Sequence, residues 1–78
     1  MKTIPNHELE AIKKIYLNTQ KALKSDDQDF DTQSALDKID YHFEDCDVIV
    51  PSECYEDDYI KERSFDTFLQ YVLASQPV

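Results

Sequence analysis

The chain has 78 residues, 41% hydrophobic and 12% aromatic, which fits one domain with a modest core and argues against wholesale disorder despite a net charge of −9. No run approaches the ~20 apolar residues that span a bilayer, and no signal-peptide pattern opens the chain, so cytoplasmic residence with reduced thiols is expected. Two cysteines are too few for a disulfide framework, and the acidic balance argues against direct contact with nucleic acid or an anionic membrane.

From Asn6 to about Lys24 the pattern is helical. Leu9, Ile12, Tyr16 and Leu23, flanked by Ile15 and Ala22, recur at three- and four-residue spacing. Asn6 is placed to cap this helix, with Glu8 and Glu10 near its positive end and Lys21 and Lys24 near its negative end. The stretch from Ser25 to Ser34 is a polar break rich in turn and cap formers. A second helix starts at Asp31, with Phe30 positioned to staple against Ala35. Leu36, Ile39, Phe43 and Cys46 form its apolar stripe, while Asp37, Asp40 and Glu44 recur at i, i+3 and i+7 as a second, acidic stripe beside it.

Val48, Ile49 and Val50 read as extended, because Pro51 biases Val50 away from helical angles. Ser52 suits the cap of a short turn holding Cys54, Tyr55, Tyr59 and Ile60. A last helix runs from Ser64 to about Ser75 on a Phe65, Phe68, Leu69 and Val72 face. Residues 55–63 read either as a separate turn or as an extension of that helix. The expected fold is all-α: one acidic domain over residues 1–78, a small three- to four-helix bundle with an extended segment at 48–50. A small sheet using Val48–Val50 is the chief alternative.

Glycine is absent. Phosphate-cradling loops, dinucleotide fingerprints and tight hairpin turns lean on glycine's access to positive φ, so its absence disfavours nucleotide-binding enzymes and β-meanders. It favours helices joined by Asp, Asn, Ser and Pro turns.

Charge is unevenly placed. Residues 1–25 carry five Lys against two Glu (+3), residues 26–60 carry thirteen acids against Lys38 alone (−12), and residues 61–78 balance. Stability alone would scatter cations among the acids, because like charges held close repel.

Metal chemistry finds little support. Asp27, Asp29 and Asp31 imitate the first ligands of a calcium loop, but Thr32 stands where the turn glycine belongs and Lys38 where a bidentate Glu is needed. His42 and Cys46 share a helix face, with Cys54 and His7 as further zinc ligands to weigh, yet no second close pair accompanies them. Carboxylates around both cysteines raise their pKa, opposing nucleophilic use. No catalytic residue, metal ligand set or cofactor is therefore expected.

Acids and tyrosines together do suit a protein partner. Carboxylates spaced like phosphates attract a Lys- and Arg-lined groove, and tyrosines add desolvated contact area at small entropic cost. The candidate partner-binding residues are Asp37, Asp40, Glu44, Asp47, Tyr55, Glu56, Asp57, Asp58 and Tyr59. Tyr55 and Tyr59 have an alternative reading as half-buried packing against the first helix.

The run Leu36–Ile39–Phe43, an acidic loop, and Tyr55–Glu56–Asp57–Asp58–Tyr59 leading into a C-terminal helix resembles bacteriocin (colicin-type) immunity proteins. These are small, acidic, largely helical inhibitors of nuclease toxins. The resemblance covers roughly residues 30–73. It implies recognition by an acidic second helix, matched by Asp37, Asp40 and Glu44, and by a tyrosine-bearing turn, matched by Tyr55, Asp58 and Tyr59. The adjacent tyrosine pair and proline of the DNase-directed branch have no counterpart here. Phage anti-CRISPR and anti-restriction nucleic-acid mimics look similar in size and charge. The expected function is thus a non-enzymatic inhibitor of a basic nuclease or nucleic-acid-binding complex, with a non-mimic helical adaptor module as the alternative. A monomer or a homodimer is expected, since a small core leaves apolar helix faces able to pair.

Overall fold

The computed structural model describes residues 4–77. Among them are four α-helices, α1 (Asn6–Lys24), α2 (Thr32–Asp45), α3 (Asp57–Glu62) and α4 (Phe65–Ala74), and a 3₁₀ turn, Ser52–Tyr55. No strand occurs among the described residues, so the all-α bundle holds and Val48–Val50 is irregular chain.

At 19 residues, α1 is about 28 Å long, and α2, α3 and α4 all contact it. Its start differs from the sequence expectation. Pro5 occupies the cap position and Asn6 is already helical, with no side-chain cap bond. The Pro5 carbonyl instead accepts from the amides of Glu8 and Leu9, each at 3.0 Å. Asp31 caps α2 as its sequence suggests, its Oδ1 accepting from the Ser34 amide at 3.0 Å. Phe30 and Ala35 line one groove with Ile15.

Both long helices end in a Schellman motif built without glycine. At the end of α1, the Asp27 amide bonds to Ala22 O (2.9 Å) and the Asp26 amide to Leu23 O (3.3 Å), with Asp26 at φ 55°. At the end of α2, the Val48 amide bonds to Phe43 O (2.9 Å) and the Asp47 amide to Glu44 O (3.0 Å), with Asp47 at φ 59°. A short polar side chain makes aspartate one of the less costly residues in this left-handed region. Val48 and Phe43, the apolar pair that accompanies the motif, are both buried.

The core draws on every element: Ile12 and Tyr16 from α1, Leu36, Ile39 and Phe43 from α2, Cys54, Ile60, and Phe65, Phe68 and Val72 from α4. Tyr16 sits at its centre, its ring 4.6 Å from Phe68 and 5.6 Å from Phe65 by centroid. Leu9, Ile15, Leu23, Cys46 and Leu69 are only partly buried against this core. Thr19, an unexpected core member, is fully buried and donates its hydroxyl to the Ile15 carbonyl at 2.8 Å. That bond removes the penalty of an unsatisfied buried hydroxyl.

Residues 55–63 do not extend α4: Tyr55 ends the 3₁₀ turn and Asp57–Glu62 form the separate short helix α3. Arg63 is extended at φ −119°, ψ 139°, and Ser64 begins a new helix by accepting from the Thr67 amide at 3.2 Å. Ser52 is the first residue of the 3₁₀ turn, with Pro51 ahead of it and no side-chain cap bond, so the expected cap does not form.

Candidate protein-interaction surface

Asp37, Asp40 and Glu44 are all exposed on α2, as their spacing requires. Two polar contacts order this edge. Gln33 Nε2 donates to Asp37 Oδ1 at 3.0 Å, and the Tyr55 hydroxyl donates to Asp40 Oδ1 at 2.8 Å. Gln33, Leu36, Asp37, Asp40 and Tyr55 thereby line one shallow cleft. Burial and the Asp40 carboxylate, in that order, push the Tyr55 hydroxyl pKa upward, so Tyr55 remains a neutral donor near pH 7.

Tyr55 is half-buried, with its tip on the acidic edge of α2 rather than on α1. Tyr59 is also half-buried, but its partners are different. Its ring lies 5.8 Å from Tyr71 and 6.5 Å from Phe68, and the Arg63 guanidinium sits 4.0 Å above it. Its pKa is pushed up to about 12, chiefly by burial and then by neighbouring Cys54. Tyr59 is therefore engaged by α4 and Arg63 within the fold.

The remaining candidates divide. Glu56, Asp57 and Asp58 are exposed, and Asp57 and Asp58 occupy the first turn of α3, where its positive end favours them. Asp47 occupies the left-handed position closing α2, which gives it a structural duty in addition to its exposure.

Ion pairing is sparse. Among the described residues, and leaving Asp47 aside, no carboxylate lies within 4.0 Å of a Lys or Arg nitrogen; the ion pairs present join Glu8 to His42 (2.8 Å) and to His7 (3.5 Å). Glu8 thus holds both histidines considered as zinc ligands. Among the described residues no group of three His, Cys, Asp or Glu is arranged to hold a metal ion. The calcium-like spacing also has other uses: Asp27 Oδ1 accepts from the Asp29 amide at 3.0 Å, and Asp31 caps α2.

Both cysteines are free, Cys46 half-buried and Cys54 buried. Both thiol pKa values are raised, and burial is the leading cause in each. Nearby carboxylates, the cause anticipated from sequence, come second for Cys46, through Glu8, Asp45 and Asp47. Thiols so placed stay protonated near neutrality and are poor nucleophiles.

Further contacts have no signature in the sequence because they join residues far apart in the chain. The Tyr71 hydroxyl donates to Glu53 Oε1 at 2.5 Å, holding that carboxyl below the usual range. The Gln76 amide brackets Ile49, accepting from its N–H at 2.8 Å and donating to its carbonyl at 2.6 Å. Tyr16 and Gln20 reach across to the end of α3.

No protein-family model matches the chain, and comparison with curated proteins and with solved structures returns no match. No helix among the described residues is long and apolar enough to cross a membrane.

Proposed function

We propose that this protein is a small acidic inhibitor that binds a basic nucleic-acid-handling protein, either a nuclease toxin or a defence complex. Contact runs through the α2 edge of Asp37, Asp40 and Glu44, joined by Tyr55 and the exposed acids of α3. The observation that carries this reading is the ion-pair pattern. The carboxylates of this edge are exposed and make no pair with Lys or Arg among the described residues. Carboxylates left unneutralised in this way present a field that steers a Lys- and Arg-lined groove toward them. Tyr55 anchors the edge, with its ring half-buried and its hydroxyl fixed on Asp40. The acids of this edge stand in for phosphates, and guanidinium groups pair with either.

The test is inhibition of purified basic nucleases and of nucleic-acid-guided defence nucleases. Inhibition of one class is expected, and the responding class identifies the target. Changing Asp37, Asp40 and Asp58 together to Asn should abolish it while the helical circular dichroism spectrum is retained. Undiminished inhibition by this folded triple variant, or no inhibition of either class, overturns the reading. Association should also slow as salt shortens the Debye length to about 8 Å. Salt-independent binding that is more sensitive to Tyr55→Ala than to the acid changes would instead mark an adaptor module acting through its tyrosine and apolar surface.

A further inference from the structure

The end of α3 is an unusual helix terminus. A six-residue helix has most of its backbone groups outside the intrahelical ladder, and its last carbonyls need partners. The usual solution, a left-handed glycine just past the end, is unavailable in a chain without glycine. The aspartate substitute used after α1 and α2 is not used here either, because the chain leaves α3 through extended Arg63.

Partners arrive instead from α1. Gln20 Nε2 lies 2.8 Å from Ile60 O and 2.6 Å from Arg63 O, and the Tyr16 hydroxyl lies 2.7 Å from Arg63 O and 3.3 Å from Ile60 O. Tyr16 and Gln20 are one helical turn apart, so they project from the same face of α1. The two side chains differ in the number of hydrogens they can donate. A phenol has one to give and favours the nearer Arg63 carbonyl, whereas an amide NH₂ has two and bonds both carbonyls at once. Gln20 is thus the bridge across the α3–α4 corner, and Tyr16 is the supporting donor. Apolar anchorage of α3 comes from buried Ile60 and half-buried Tyr59, and neither side chain satisfies the terminal carbonyls.

We infer that Gln20 and Tyr16 are positioning residues for the interaction surface: by bonding the Ile60 and Arg63 carbonyls they fix α3, and with it the exposed Asp57 and Asp58, relative to the acidic edge of α2. The consequence for recognition rests on the proposed function. The attachment of α3 does not, and it can be measured in the free protein.

The experiment is residue-resolved native-state hydrogen exchange near neutral pH on the full chain and on Gln20→Met, Gln20→Glu, Gln20→Lys and Tyr16→Phe. Methionine and glutamate keep the length of glutamine but offer no N–H, while lysine restores a donor suited to a helix C-terminus. Exchange at α3 amides, including that of Ile60, which bonds to Glu56 O at 3.1 Å, should accelerate by about tenfold or more in Gln20→Met and Gln20→Glu. Gln20→Lys should stay close to the parent, and Tyr16→Phe should fall between, with α2 amides unchanged throughout. A space-filling role would not distinguish lysine from methionine. Unchanged α3 exchange, acceleration spread evenly over all four helices, or Gln20→Lys as fast as Gln20→Met would each overturn the inference. Failure of the nuclease assays alone would count against the proposed function and leave this result standing.

Discussion

The α2 edge and the α3–α4 corner contain the same ingredients, acids and tyrosines, and use them differently. Along α2, Asp37, Asp40 and Glu44 are exposed, and the Tyr55 hydroxyl donates to Asp40. At the corner, Tyr59 packs edge-on to Phe68 and tilted against Tyr71, beneath Arg63, and Tyr71 is tied to Glu53. Composition therefore did not show which neighbours each tyrosine meets within the fold. Both tyrosines of the segment Tyr55–Tyr59 pack against the core, but Tyr55 carries its hydroxyl to Asp40 whereas Tyr59 meets the rings of α4 and Arg63.

The largest expected effect breaks the comparison at the corner. Tyr59→Ala should destabilise the protein by about 2–3 kcal/mol in urea unfolding, less than full burial would cost because the ring is only half-buried. A loss under ~0.5 kcal/mol would return Tyr59 to the free surface. Tyr55→Phe is the matching change on the other side. It removes one hydroxyl bond to an exposed carboxylate and should cost about 1 kcal/mol or less, so a larger loss would make Tyr55 structural too.

Smaller still, Asp26→Gly should raise stability by ~0.5–1 kcal/mol, since glycine adopts the φ of 55° without a Cβ penalty. No gain in the urea midpoint would mean that aspartate side-chain bonding offsets that penalty. The finest test is a titration. The Tyr71 hydroxyl lowers the Glu53 pKa in the folded state, so its contribution is present above the unfolded value and lost as pH falls through the folded one. In Tyr71→Phe the carboxyl should titrate higher, back toward the ordinary Glu value, as followed by NMR. An unmoved Glu53 pKa would remove Tyr71 as its cause.

Much of this was legible in the residues. The first helix, the Asp31 and Ser64 caps, the buried faces of α2 and α4 and the exposure of Asp37, Asp40 and Glu44 follow from periodicity and capping chemistry. The absence of glycine pointed to aspartate turns, and Asp26 and Asp47 fill that role. The misreadings at Asn6 and Ser52 have a common origin. In each case a proline immediately upstream takes the cap position, and the good capping residue becomes the first of the helix.

What sequence determined, then, needed no tertiary contact: helical period and the Asp31 cap depend on neighbours within a few positions, and the −12 block on composition alone. What only the tertiary structure decided depends on residues brought together from 15 to 47 positions apart, as in Tyr55 with Asp40 and Tyr16 with Arg63. A tyrosine's sequence context fixes its chemistry but not its company. Packing against α4 turned Tyr59 into a structural residue, and the reach of Gln20 across the bundle gave a short, glycine-free helix its end.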